Sequence, residues 1–309
     1  MTPSLLIHGP TASGKSKLAL ELASVLDGEI INTDAMQVYG DLDVLTARPS
    51  EADRQAVPHH LFGHVTADVR YSTGQWLVDV APVIADILRR GKVPILVGGT
   101  GLYFLAVTQG LSGVPPVPEE VRADVKAILQ SEGVDRLRSR VSEVDPESAA
   151  RIQGQDRYRL SKAYEVWLAT GTPLSALHGA RRTPVLGAGE WLGIALTPPR
   201  PRLYQRIDKR FEGMMMQGAM EEARALVARG LDPDLPAMKA HGMPWLAAFI
   251  RNEISAEDAA ENAKRDTRRY AKRQFTWIGR QFPFWPRIPS LDLAERRRVI
   301  LALFRELQD

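Results

Sequence analysis

Over the first hundred residues, short apolar runs alternate with longer amphipathic stretches. The runs Ser4–His8, 29–33, 60–64 and 93–97 predict strands, each ending near glycine or a polar residue. Lys15–Leu26 and residues 73–90 predict helices; in the first, Leu18, Leu22 and Val25 recur at helical spacing. This alternation is the pattern of an α/β domain on a parallel sheet. Residues 110–118 read GLSGVPPVP, which no helix interior accommodates. From 119 to 177 the pattern is wholly helical. Trp191–Leu196 then reads as another strand, and helices fill the remainder, among them 201–228 and 256–280. A strand returning after a helical block predicts an insertion: an α/β core of residues 1–112 and 188–309, interrupted by helical residues 113–187.

Composition narrows the class. Hydrophobic residues make up 44% and charged residues 25% of 309, which excludes a disordered chain and allows about two domains. There are 0 cysteines, so disulfides, thiolate metal sites and a cysteine nucleophile are excluded, in keeping with a reducing cytoplasm. The first residues carry no basic segment ahead of an apolar one, so no signal peptide is expected. No run reaches the ~20 apolar residues of a membrane span. The net charge of +3 hides an asymmetry. Residues 1–199 hold 19 basic and 22 acidic side chains, whereas residues 200–309 hold 21 and 15, a basic end suited to a polyanion.

Gly9-Pro10-Thr11-Ala12-Ser13-Gly14-Lys15-Ser16 is a P-loop, with a predicted strand before it and a predicted helix after it. Its glycines let successive N–H groups face phosphate oxygens, the helix adds its dipole, Lys15 a full charge, and Ser16 a hydroxyl for Mg2+. The loop selects a di- or triphosphate without naming it. Asp34, at the carboxyl end of the second predicted strand, falls beside the loop and reads as a general base, a Mg2+ partner or a helix cap. The apolar strand Pro94-Ile95-Leu96-Val97 ends in Gly98-Gly99-Thr100-Gly101 and not in the aspartate a hydrolytic NTPase needs. Those glycines allow either close approach of a ligand or a tight turn.

Between residues 262 and 282 there are seven basic side chains and one acid, Asp266. Lys264, Arg268 and Lys272 share one helical stripe, and Arg265, Arg269 and Arg273 the next. Ala263, Tyr270 and Trp277 lie opposite and are expected to pack inward. Such a cationic face fits an RNA phosphate track or a solvated surface. The six histidines show no metal spacing, and Met214-Met215-Met216 reads as packing.

GPTASGKS (9–16), DAMQ (34–37), PHH (58–60), LVGGTGLY (96–103), RLSKAYEVW (159–167) and RRYAKRQFTWI (268–278) together resemble the tRNA dimethylallyltransferases, in order and over nearly the whole chain. The resemblance implies a P-loop NTPase-like α/β core with a parallel sheet and an all-helical insertion that clasps the anticodon arm. It implies transfer of a dimethylallyl group from dimethylallyl diphosphate to N6 of the adenosine 3′ of the anticodon, with Mg2+. Gly9 to Ser16 would hold the isoprenoid diphosphate where a nucleotide-binding relative holds ATP, with Lys15 and Arg206 or Arg210 on its charge. Asp34 would accept the N6 proton, and Thr100 would contact the reacting region. Asp34, Ala35, Met36, Gln37, Thr100, Arg122, Tyr158, Arg159, Leu160, Ser161, Lys162, Lys239 and Gly242 would meet the tRNA. Gln37 could pair with an adenine edge. Ala35 replaces a usual serine, Gly63 a frequent aspartate, and residues 239–244 depart from the family's R-x-x-G-Y-R. A monomer is expected.

Two other readings share these residues. An ATP-dependent small-molecule kinase shares the loop and the fold class, but leaves the basic helix and the Gly98–Gly101 turn unused. A nucleotide-gated RNA-binding module leaves Asp34 without a role.

Overall fold

The computed structural model describes residues 2–177 and 183–308. Residues 178–182, which fall in the predicted insertion and include His178, lie outside them. The chain divides into two compact units, 1–108 with 185–309, and 109–184.

The first unit contains β1 (Ser4–His8), α1 (Lys15–Leu26), β2 (Gly28–Asn32), α2 (Glu51–Ala56), β3 (His59–His60), α3 (Thr73–Arg89), β4 (Val93–Gly98) and nearly all of α4 (Gly101–Gln109). The second contains α5 (Glu119–Val144), α6 (Pro146–Arg151), α7 (Arg157–Thr170) and α8 (Leu174–Leu177). The first then resumes with β5 (Trp191–Leu196), α9 (Arg200–Met216), α10 (Ala219–Ala228), α11 (Met243–Ile250), α12 (Ala256–Gln281), β6 (Arg287–Ile288) and α13 (Leu293–Gln308).

Six parallel strands form one sheet in the order β3-β2-β4-β1-β5-β6. β1, β2 and β4 are buried along their whole length, as central strands of a parallel sheet are, and they take Ser4, His8, Glu29 and Asn32 into the interior with their apolar residues. Leu18, Ala19 and Leu22 of α1 and Ile300 and Phe304 of α13 join Leu5, Ile7, Ile95 and Ile194 of the strands in one core. α3 starts at a capping box, Ser72 with Gln75, and buries Trp76, Val80, Ile84 and Ile87 on one stripe. β1 delivers the chain to the P-loop, while β2 and β4 deliver Asp34 and Thr100 to the same carboxyl edge of the sheet.

Three predicted elements differ. The strand expected over 60–64 is only His59–His60, because the chain turns where Leu61 and Gly63 take left-handed φ of 61° and 59°. The helix expected over 201–228 is two helices, broken at Gly218 with φ 103°. The wholly helical stretch expected over 119–177 resolves into four helices with connecting turns, and the first is interrupted by Gly133 at φ 82°, ψ 175°. Val125, Leu137, Val141, Leu160 and Ala163 form that unit's own core.

Candidate active site

The loop between β1 and α1 is tightly curled. Ser13 N–H donates to the Pro10 carbonyl at 3.1 Å, and Ala12 and Gly14 take φ of 62° and 88°. A Cβ on Gly9 would lie 2.6 Å from Ser13 Oγ and 3.2 Å from Leu196 Cβ, so a side chain there would push into the loop and β5. Lys15 is only 9% exposed. Burial pushes its ammonium down to about 8, Asp34 opposes that shift, and Arg210 adds to it. A cavity of about 470 Å³ opens from the loop. Gly14, Lys15 and Ser16 line it from one side and Arg206, Lys209 and Arg210 from α9, while Leu20, Ile30, Phe62 and Val97 supply an apolar part. α9 buries Leu203, Ile207 and Phe211, which brings Arg206 and Arg210 to the adjoining stripe. Arg210 donates from Nη1 to Thr11 Oγ1 at 3.3 Å and from Nη2 to the Thr46 carbonyl at 3.4 Å.

Asp34 is half-buried and held by its neighbours. Its N–H donates to Asn32 Oδ1 at 2.7 Å, and its Oδ1 accepts from Met36 N–H at 3.0 Å. Asn32, fully buried, also donates from Nδ2 to the carbonyls of Asp34 and Leu61, both at 3.0 Å. Thr100 Oγ1 accepts from Ala35 N–H at 2.9 Å, and Thr100 N–H donates to the Thr33 carbonyl at 3.1 Å. The two strand ends are thereby locked together. The glycines around Thr100 admit the protein's own groups and not a ligand: a Cβ on Gly98 would strike the Thr33 backbone, one on Gly99 Gln274, and one on Gly101 the Trp277 ring.

α12 closes the site. Gln274, 4% exposed, accepts from Thr11 N–H at 3.1 Å and donates to the Gly99 carbonyl at 2.8 Å, joining the P-loop to the end of β4. One turn earlier, Tyr270 lies against Thr100, and burial together with Asp34's charge raises its hydroxyl above the ordinary phenol range. The His241 ring stands 4.1 Å from that of Tyr270, and burial holds it neutral at pH 7 despite Asp34.

Residues 37–281 match the family described as IPP transferase, and residues 3–59 one described as isopentenyl transferase. The chain belongs to the IPP transferase family. It is 64% identical to the tRNA dimethylallyltransferase of Hyphomonas neptunium, over 99% of this chain and 97% of that one. The full-length tRNA isopentenylpyrophosphate transferase of Bacillus halodurans superposes with a TM-score of 0.70 at 32% identity, covering 100% and 98% of the two chains. A eukaryotic dimethylallyltransferase whose crystal structures capture it acting on tRNA gives 0.78 at 26% identity, covering 98% and 79%. As a member of the IPP transferase family the chain is a prenyltransferase.

The residues the sequence pointed to within this IPP transferase are not all free to act as expected. Gln37 is not free for a bidentate pair with an adenine edge: its Nε2 donates to the carbonyls of Thr46 and Ala47, both at 2.9 Å, which leaves its Oε1 towards the cavity. Leu160 is 0% exposed in the core of the helical unit, so its side chain cannot touch RNA. On the same α7, Tyr158 is 81% exposed, Arg159 is exposed, and Ser161 and Lys162 are half-buried. Burial and the charge of Arg122 lower the Lys162 ammonium. Arg122 lies 4.0 Å from Glu165. Lys239 is tied to Asp234 at 2.9 Å, and Gly242 is buried with φ 94°, at the start of α11. In the cationic stripes of α12, Lys264 pairs with Glu212 at 3.0 Å and Arg268 with Asp208 at 2.5 Å, so only part of that face is unneutralised. Gln274, Asn32 and His241 escaped the sequence reading. Gln274 sits inside the quoted RRYAKRQFTWI segment, which was its only signal.

Proposed function

We propose that the chain transfers the dimethylallyl group of dimethylallyl diphosphate to N6 of the adenosine immediately 3′ of a tRNA anticodon. Modification of tRNA by dimethylallyl transfer follows from family membership; the acceptor atom and the roles of the residues are the proposal. One observation carries it. A single cavity joins a cation-lined phosphate cradle to an apolar part, and the charge of Asp34 is felt by both Lys15 and Arg210.

The N6 lone pair is delocalised into the purine, so a base must take its proton as the new bond forms. N6 attacks the allylic carbon, the carbon–oxygen bond breaks, its electrons leave with the diphosphate, and the N6 proton passes to Asp34. Lys15, Arg206, Arg210 and the N–H groups of the loop meet the charge that builds on the leaving oxygens. Leu20, Ile30, Phe62 and Val97 suit the five-carbon tail and keep water from the cationic carbon. The adenine leaves its stack to enter. Arg122, Arg159 and Lys162 take phosphates of the anticodon arm, and the exposed ring of Tyr158 takes a base face.

Ser16 presents an exposed hydroxyl at the first turn of α1, and among the described residues no three carboxylates or imidazoles cluster. That donor set fits Mg2+ held by phosphate oxygens and water with Ser16 as its protein ligand. Bound there, the ion would add positive charge at the leaving group. The reading extends to a cytoplasmic monomer, for which sedimentation at the mass of one 34.2 kDa chain is the check. No helix among the described residues is long and apolar enough to cross a membrane.

The test is incubation with Mg2+, dimethylallyl diphosphate and an anticodon stem-loop, read by the mass of the RNA. Asp34→Ala should lower turnover about 10²- to 10⁴-fold and leave stem-loop affinity within a few-fold of wild type. Full turnover by that variant removes Asp34 as the base.

A further inference from the structure

The last helix sends one cation beneath the P-loop. Arg296 of α13 is 2% exposed. Its Nη1 donates to the Ser13 carbonyl at 2.6 Å, and its Nε donates to the Ser290 carbonyl. Its Nη2 is buried with no hydrogen-bond partner among the described residues. Among the described residues no carboxylate lies within ion-pair distance, and the charge that bears on it is that of Arg206. The two guanidinium groups flank one residue: a Cβ on Gly14 would stand 3.3 Å from Arg296 Nη1 and 3.5 Å from Arg206 Nη2.

Elsewhere in this unit, Arg287 donates to the carbonyls of Ile278 and Phe282, while Arg90 is paired with Glu29, Arg268 with Asp208 and Lys264 with Glu212. Around the loop, Lys15, Arg206, Arg210 and Arg296 converge with no carboxylate in ion-pair contact among the described residues. A buried guanidinium beside another cation is costly unless an anion arrives to balance it. Arg296 also acts on the backbone. A trans peptide points its C=O and N–H in opposite directions. Holding the Ser13 carbonyl therefore aims the Gly14 N–H the other way, and that N–H has no acceptor among the described residues.

We propose that Arg296 is a positioning residue of the diphosphate site. It sets the Ser13–Gly14 peptide so that its N–H faces the anion, and its unbalanced charge is compensated when the diphosphate binds. The inference rests on the reading of the P-loop as a diphosphate cradle, and deepens it by adding a residue remote in sequence that acts through the loop.

The test is calorimetric titration of the whole chain with inorganic pyrophosphate and Mg2+, with stem-loop affinity measured alongside. Wild type should bind pyrophosphate. Arg296→Gln should bind it about 10- to 100-fold more weakly, the worth of one charge-assisted contact, with stem-loop affinity unchanged. Arg296→Lys, which keeps the charge but loses the forked geometry, should fall between. With dimethylallyl diphosphate as substrate, the loss should appear in KM for the diphosphate more than in kcat. Wild-type pyrophosphate affinity in Arg296→Gln overturns the proposal. If that variant melts out in circular dichroism, Arg296→Lys decides, and wild-type affinity there overturns it equally. Failure of the wild-type chain to bind pyrophosphate at all would instead overturn the reading of the loop itself.

Discussion

Lys15 is where pH acts most directly on the site. Burial, reinforced by Arg210 and opposed by Asp34, brings its ammonium to about 8. Below that pH the side chain is charged and holds a phosphate; above it the proton is lost and so is the attraction. The ratio of wild-type to Lys15→Met pyrophosphate affinity, in which the ligand's own ionisation cancels, should therefore be level below pH 8 and fall as pH rises through 8 to 10. In Lys15→Met, affinity should be lower throughout and the step absent. Calorimetry across that range checks both. At the same scale, sequence reading and structure part at Gly98, Gly99 and Gly101. Three glycines around a threonine invite the thought of a ligand's close approach. What approaches is Thr33, Gln274 and Trp277, and nothing near 98–101 in the chain announces partners 65 to 176 positions away. The P-loop was legible because everything it needs lies within eight consecutive residues. Gln274 and Arg296 were not, because their partners, Thr11, Gly99 and Ser13, are distant in sequence and only the fold brings them together.

Among the elements, α12 does two things on two faces. Its buried face carries Gln274 to the loop and Tyr270 to Thr100. Its outer face carries the cations, and these are not equivalent. Lys264 and Arg268 are paired with Glu212 and Asp208 of α9. Lys272 and Arg273 have no acid in ion-pair contact among the described residues, and Arg273 lies 5.6 Å from the centre of the Tyr270 ring. If this helix tracks RNA phosphates, Lys272→Ala and Arg273→Ala should each reduce the slope of log affinity against log salt by about one. Lys264→Ala and Arg268→Ala should change it little, since their charge is already balanced. Stem-loop titrations from low to moderate salt separate the two pairs. Counting basic residues on a helical wheel found the face but not this division, because Glu212 and Asp208, which neutralise two of its cations, belong to another helix. The break at Gly218 and the truncation of β3 at Leu61 were hidden for a related reason: apolar periodicity runs through both places, and only the left-handed backbone interrupts it.

For the first unit as a whole, the parallel sheet draws an acid into its interior. Glu29 of β2 is 2% exposed and accepts from Nη1 and Nη2 of Arg90 and from His60 Nε2, the last at 2.8 Å. The hydrogen bonds from Arg90 lead the causes that hold its carboxyl down to about 2, against 4.5 ordinarily. Its stabilising contribution is complete above pH 4.5 and is lost as pH falls towards 2. The thermal midpoint should therefore drop steeply over that interval, and Glu29→Gln should be less stable at pH 7 with a shallower acid limb. Melts followed by circular dichroism check this. The parallel α/β order of that unit was readable from alternating apolar runs, since the middles of its buried strands, Leu5–Ile7, Ile30–Ile31 and Ile95–Val97, are apolar even where their ends are not. Its edge pair β6 was not, being two residues long.

The account depends on the loop gripping a diphosphate whose carbon tail is what moves. Dimethylallyl diphosphate carrying ¹⁴C in the tail and ³²P in the diphosphate, incubated with the chain, Mg2+ and an anticodon stem-loop, follows both halves at once. Dimethylallyl transfer puts ¹⁴C in the RNA and releases all ³²P as free diphosphate; ³²P in the RNA, or no ¹⁴C there, rules that transfer out.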